Sequence, residues 1–494
     1  MHKSSPKGGL LYFYNMRYAP ILAFVLSTLS PFTTTAQRTM VEHQFEQLQG
    51  PTPMSWVTQR FLIQKEFPTL QLAGGLETQS AIFGNYGGFY VFGLHARAEK
   101  NVQSWSTYAG LSIATGGGAG APDGDGLMYR FEAGLGRSIS SRSRLFVTYS
   151  TLDFPSGTIY SRHPGINFSY RMPYEWQPSG ATVALFPGAV SIIGGVFLFD
   201  APDATRISER GNSLYTGVRF TQELKENFEL DLQLGASAVG STDGFMDYKA
   251  GFTKVIGNGP YNAFIRGQLG SGGGGSVETG GGISTSVGAG VRLFDRFEIS
   301  YNYWDALQTP MQAPLVELSY RVPFQTNFGF VSTPSTHWTP KKELATIDLQ
   351  LIIGSRWNFK EGMDRNGLPY QPMGSIFLGT KLRVAPDFWV SGETLWAATG
   401  GYGAYAEGMF GIYQDLVHSG QHILGWNASL VAAGGGGIET NKGLAAAVGA
   451  QYSIQGARKN RWTLLARKKY FGPGAYNPWV IGVQYEPTFA IFSR

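Results

Sequence analysis

The feature that most constrains this chain is a two-residue alternation of apolar and polar side chains that recurs over segment after segment. Successive side chains of a strand point to opposite faces. Phe228, Leu230, Leu232, Leu234 and Ala236 therefore share one face, against Glu229, Asp231 and Gln233 on the other. Val316, Leu318, Tyr320 and Val322 stand likewise against Glu317, Ser319 and Arg321, and Phe297, Ile299, Tyr301 and Tyr303 against Glu298, Ser300 and Asn302. From Ile283 to Leu293 the apolar set opposes Ser284, Ser286, Gly288, Gly290 and Arg292. Turn residues such as Glu226-Asn227, Gly257-Asn258-Gly259-Pro260 and Asp295-Arg296 separate these runs, as hairpins require. No stretch of helical period competes with them. Val183–Phe199 is uncharged, but Pro187 would break a helical ladder, and Ser191–Phe199 suits a strand.

The pattern is repeated on a larger scale. Glycine runs occur at 116–118, 272–275 and 434–437, and two of them continue as Val277-Glu278-Thr279 and Ile438-Glu439-Thr440. Each unit closes on a related strand: Phe168–Pro173, Leu318–Pro323 and Val483–Pro487. The period, roughly 155–165 residues, is far longer than that of solenoids or propellers. We divide the chain into a segment 37–54 and three repeats, 55–188, 189–342 and 343–494, with the first strand near Ser55-Trp56-Val57. Each repeat holds seven or eight strands, and the first lacks an opening strand. The expected fold is all-β: one antiparallel up-and-down barrel of about 22–24 strands. The alternative is three tandem barrels of eight strands, each filled by its own side chains.

Residues 1–36 are read as a signal peptide. Lys3, Lys7 and Arg17 precede the apolar Ile21–Leu26 and the small residues ending at Ala36, the order of an export signal; Met16 offers a second start. These residues carry three of the 39 Lys+Arg and no acid, so removal lowers the net charge from +5 to +2. That is too little for a nucleic-acid binder. With no Cys, disulfide scaffolds, thiolate metal sites and cysteine nucleophiles are all excluded.

Alternation alone does not say what the apolar face touches. In a soluble sandwich it meets a second sheet; in a membrane barrel it meets lipid and the polar face lines the lumen. Aromatic residues at strand ends favour lipid, where an interfacial belt needs amphipathic rings: Tyr149, Tyr170, Tyr301, Tyr303, Trp304, Tyr320, Trp479 and Tyr485. The chain also ends on an alternating strand, Trp479-Ile481-Val483-Tyr485, with Phe492 near the terminus and Ser493-Arg494 after it. This ending resembles the C-terminal strand by which outer-membrane barrels are recognised for assembly. The resemblance, over the whole chain after residue 36, is to the porin-like Gram-negative outer-membrane barrel class. It implies an outer-membrane location, contact with outer-membrane lipids, the barrel assembly machinery as a partner, and other envelope proteins as further partners.

On that reading Arg130, Glu132, Arg171, Glu229, Asp231, Arg292, Glu298, Glu317 and Arg321 point into the lumen. They would either tune a pore or pair into ladders that hold the interior together. No HExxH, GxSxG, Walker-type or EF-hand pattern is present, so no enzyme, cofactor or metal is expected. His95 and His422 have no acid or serine assigned to them by spacing. Asp123-Gly124-Asp125-Gly126 reads as a hairpin loop rather than a Ca²⁺ site, since that ion wants six to eight oxygens. With the first strand so near the signal, a folded plug domain does not fit. The expected function is a passive or partner-gated channel, or a membrane component of a secretion or surface-assembly machine. The alternatives are a non-conducting structural or adhesive outer-membrane protein and a soluble secreted β-repeat protein.

Overall fold

The computed structural model describes residues 37–49, 53–172, 183–198, 212–326, 336–338 and 346–492, apart from 226, 241, 243, 258, 276, 278, 361–368, 437, 442 and 457–459. The signal segment 1–36 lies outside them. The first unit contains β1 (Gln37–Leu48), β2 (Met54–Glu66), β3 (Gln71–Phe83), β4 (Tyr90–Val102), β5 (Trp105–Gly117), β6 (Leu127–Ser138), β7 (Ser143–Asp153) and β8 (Tyr160–Arg171). Neighbours in sequence are neighbours in the sheet. β8 then returns to pair antiparallel with β1, from Met40 opposite Arg171 to Glu46 opposite Gly165.

The other two units follow the same plan. The second is β9 (Val183–Phe197), β10 (Ser213–Lys225), β11 (Phe228–Gly240), β12 (Met246–Ile256), β13 (Tyr261–Gly273), β14 (Ile283–Leu293), β15 (Phe297–Ala306) and β16 (Gln312–Thr326). It closes where β16 pairs β9, from Leu315 opposite Phe197 to Thr326 opposite Phe186. A short β17 (Thr336–Trp338) continues along the start of β9. The third is β18 (Thr346–Phe359), β19 (Met373–Ala385), β20 (Phe388–Ala397), β21 (Ala406–Ser419), β22 (His422–Gly434), β23 (Leu444–Gln455), β24 (Arg461–Tyr470), β25 (Trp479–Glu486) and β26 (Thr488–Phe492). β25 and β26, separated by Pro487, together pair with β18 and complete the ring.

The three-barrel alternative is therefore the fold, and the single wide barrel is not. Closure removes unpaired strand edges, and it does so at eight strands as completely as at twenty-four. Interiors rich in long inward side chains match the narrow lumen of an eight-stranded ring. The opening strand of the first unit exists and lies in 37–54. The outward residues of β1 are Val41, His43, Phe45 and Gln47, a mixed set that blurs its alternation.

The turns sort into two ends. Loops 118–126, 398–405 and 471–478 lie at one end, and the short turns 103–104, 386–387 and 420–421 at the other. The barrels touch one another through the outward side of the first. Tyr90 Oη donates to the Ser271 carbonyl at 2.8 Å and to that of Met246 at 3.1 Å, and Ser271 Oγ donates to the Ala81 carbonyl at 2.7 Å. Phe92 stacks on Trp396 with ring centroids 5.0 Å apart, and Leu94 and Ala96 pack with Ile353. Gly117, Gly273, Gly274 and Gly434, at least one from each glycine run, sit at this junction. Gly88, at φ 89°, lies against Gly273 and Gly274, where a Cβ on either side would strike backbone. Gly117 is pressed between Asp123 and Ala404 in the same way.

Because its last strand pairs with its first, the segment 37–172 contains a complete ring. Refolded alone into detergent micelles, it is expected to give a heat-modifiable band on a gel. Identical mobility with and without boiling would contradict closure after eight strands.

Candidate functional site: the barrel interiors

Inward faces carry the chemistry of this protein. In the first barrel Arg60 is buried at the centre of a lattice. Its Nε is 2.5 Å from Glu77 Oε2, its Nη1 donates to Gln44 Oε1 at 2.8 Å, and its Nη2 to Glu132 Oε2 at 2.9 Å. Arg130 bridges Glu46 at 2.7 Å and Glu132 at 2.6 Å, and Arg97 bridges Glu42 at 2.7 Å and Glu99 at 2.8 Å. The Arg97 guanidinium also lies over the Tyr108 ring at 4.6 Å. Each guanidinium donates in a fixed fork that matches carboxylate geometry, so three cations tie together side chains from six strands, β1 to β6, of the barrel wall.

The second and third barrels repeat the device with other residues. Arg219 holds Glu298 at 3.0 Å and Glu317 at 2.7 Å, Arg266 holds Asp231 at 3.2 Å and Glu298 at 3.1 Å, and Arg292 holds Glu229 at 2.7 Å and Glu298 at 2.8 Å. Arg321 reaches Glu229 at 2.9 Å. In the third barrel Glu393 is shared by Arg356 and Arg467, Lys469 is 2.5 Å from Glu407, and Lys381 is 2.7 Å from Glu486. Arg356 lies over the Phe377 ring and Lys381 over that of Tyr413.

Above the charged layer, toward the long-loop end, each interior turns apolar. Trp56, Phe89, Met128, Leu152 and Phe154 cluster in the first barrel; Phe197, Tyr215, Phe245 and Trp304 in the second; Met373, Phe377, Tyr405, Phe471 and Tyr476 in the third. Edge-to-face contacts such as Phe245 with Trp304, centroids 5.5 Å apart, lock these rings together. A lumen of this width, lined by side chains that touch across it, is filled rather than open.

Of the residues assigned inward from the sequence, Arg130, Glu132, Glu229, Asp231, Arg292, Glu298, Glu317 and Arg321 are all inward and buried, and all are joined in these networks. Arg171 stands half-buried at the rim, opposite Met40 on the inward face. Tyr149, Tyr301, Tyr303, Tyr320 and Trp479 are outward and exposed, and Tyr170 is half-buried. Trp304 turns inward and is fully buried, which corrects its place in the aromatic belt. Its parity in β15 is that of Glu298, Ser300 and Asn302. Tyr485 is on the outward face but covered, with the Trp462 ring 5.0 Å away. Sequence reading missed Arg60, Arg97, Arg356, Lys381, Glu393, Glu407, Arg467 and Lys469. The signal was there, as polar residues two apart: Glu42-x-Gln44-x-Glu46, Arg97-x-Glu99, Arg467-x-Lys469.

His95 lies within the first network, its Nδ1 2.9 Å from Ser112 Oγ. Ser161 Oγ, His163 Nδ1, His163 Nε2 and Glu46 Oε1 form a second chain with separations of 2.9 and 3.1 Å. All five side chains are buried beneath the apolar cap, so these hydroxyls meet no solute from outside. His422 is exposed at the opposite end of another barrel, beside Tyr452.

The Asp123–Gly126 loop joins the first barrel to the third, where Asp125 Oδ1 accepts from the Gly401 amide at 2.6 Å. Asp123 is 6% exposed, and one of its carboxylate oxygens has no hydrogen-bond partner. Burial pushes its carboxyl up from the usual range to about 7.

Two outcomes are expected. Replacing Arg60 by Met leaves Glu77 and Glu132 without their central cation, and a broken buried pair costs about 3–5 kcal/mol; the denaturant midpoint should fall accordingly. Asp123 keeps its proton longer when folded than when unfolded, so its contribution is full near pH 4 and declines as pH rises toward 7. Melting temperature should drop over that interval, and Asp123→Asn should flatten the drop.

No family model matches the chain, nor does any curated protein. Among solved structures, OccK1 (OpdK) of Pseudomonas aeruginosa shares 7% identity over 92% of this chain and 98% of its own, with a TM-score of 0.22. OccAB3 of Acinetobacter baumannii shares 8% over 93% of this chain and 100% of its own, TM-score 0.21. A de novo designed transmembrane β-barrel shares 13% over 28% of this chain and 97% of its own, TM-score 0.19. At such scores the shapes differ too much to transfer anything. What the pairings and burial show is a set of closed antiparallel barrels with exposed apolar exteriors and buried charged interiors.

Proposed function

We propose that this is an exported outer-membrane protein whose three barrels stand in the bilayer as sealed units, and whose long-loop end is displayed on the outer side. The carrying observation is the inverted polarity of the wall. Large apolar side chains face outward and exposed in every barrel, among them Val147 at 66%, Val287 at 65% and Leu430 at 67%, while Arg60, Arg219 and Arg467 are buried within. A water-soluble protein rarely exposes apolar surface on that scale. Strands of 10–13 residues, such as β15 and β20 at the short limit and β3 and β13 at the long one, have the length of a tilted bilayer crossing. Short turns face the periplasm and longer loops the exterior in barrels of this type, which sets the orientation.

The filled interiors support a structural or surface-display role, or service as the membrane component of a surface-assembly machine. A passive channel is the second reading, favoured by the mixed-charge lining of each lumen. For that, the guanidinium–carboxylate lattice and the apolar cap must part. Outer-membrane lipids and the barrel assembly machinery are the partners this reading requires, the latter through the alternating strand β25.

Planar-bilayer recording on the purified protein is the test. Silence is expected from sealed barrels; discrete open steps would instead support the channel. Recovery of a monomer from culture supernatant without detergent would overturn the membrane reading itself.

A further inference from the structure

Three metal-ligating side chains converge at the short-turn rim of the third barrel, away from the filled interiors. Asp387 lies in the turn between β19 and β20, at φ 60°, and Asp415 and His418 lie near the end of β21. One ligand atom from each falls within 4.8 Å of the others, a grouping found at no other place among the described residues. His418 Nε2 is 3.2 Å from Asp387 Oδ1. Two ligands of a tetrahedral zinc ion, each roughly 2.0–2.1 Å from the metal, stand roughly 3.3 Å apart, so this pair already has the spacing of one edge of such a site.

The backbone brings these residues together by irregularity. The pairing of β21 with β22 slips between Asp415 and Val417, and that of β19 with β20 slips between Arg383 and Ala385. Bulges at barrel rims re-aim side chains, and here Asp415, whose strand parity is inward, and His418, three residues on, end within reach of one carboxylate. The Asp415 amide donates to the Asp387 carbonyl at 2.8 Å, which fixes the two hairpins to each other.

The charge environment leaves room for a cation. Arg461 holds Asp415 through Oδ2 at 2.8 Å, where Trp389 Nε1 also donates at 3.4 Å, while among the described residues Oδ1 has Gln451 Nε2 at 3.3 Å. Arg383 stands 4.0 Å from Asp387 Oδ1 and has Asp348 as its closer partner at 3.2 Å. Asp387 and His418 are each nearly half exposed, so an ion reaches them from water.

We propose that Asp387, Asp415 and His418 form a binding site for a zinc-like divalent cation, with two carboxylate oxygens and one imidazole nitrogen as ligands and water completing the shell. Two oxygens and one nitrogen suit zinc better than Ca²⁺ or Mg²⁺, which prefer all-oxygen shells. This assignment does not depend on whether the barrels conduct. The test is calorimetric titration of the full-length protein in detergent with ZnCl₂. One equivalent is expected to bind, with affinity reduced about tenfold or more in both His418→Ala and Asp387→Asn and unchanged in His422→Ala, which reports on a nearby exposed rim histidine. Heat-modifiable migration of each variant confirms that the barrels are intact. No saturable binding by the parent protein would overturn the proposal, as would undiminished binding in the His418 and Asp387 variants.

Discussion

The fold depends on pairing buried guanidinium and ammonium groups with carboxylates inside a ring too narrow for bulk water. Isolated charges in such a place would be costly to keep. The solution in all three barrels is sharing: Glu132, Glu298 and Glu393 each accept from at least two cations. Removing a cation strands an acid that another cation still needs, which makes the lattice cooperative. Such a lattice also fixes register. A strand slipped by one residue would turn its charges into the apolar exterior, and the carboxylates it left behind would have no partners.

That constraint explains why closure comes at eight strands. Residues such as Arg97 and Glu42 reach each other across the lumen from β4 and β1, a span possible only in a narrow ring. The apolar caps complete the seal at one end, so each lumen is divided into a charged half and a greasy half. Aromatic rings, with few rotatable bonds and large area, fill the interior near the loops at little conformational cost.

The wall was legible in the sequence, because alternation gave both the strands and the inward parity of Glu229, Asp231, Arg292 and Glu298. The long-range choice was not. Whether the last strand of a unit pairs with its own first strand or with the next unit leaves the same local pattern, and only interior volume decides. Parity also identified its own exception: Trp304 shares the face of Asn302, and its aromatic character argued for the belt while its position argued for the core. β1 escaped notice because an outward His43 and Gln47 interrupt its apolar side. The trio at Asp387, Asp415 and His418 lay beyond sequence reasoning altogether, since bulges are what bring those residues together.

The glycine-lined junction has a consequence for assembly. Separate barrels that associate in a bilayer lose translational and rotational freedom when they meet, and dilution drives them apart. Here the three are links of one polypeptide, so each meets the others at a high effective concentration set by short connectors. Their stoichiometry is written into the gene, and dilution cannot change it. The absence of side chains at Gly88, Gly273 and Gly117 then lets unlike neighbours seat backbone to backbone, giving a lopsided trio in which every position has a fixed identity.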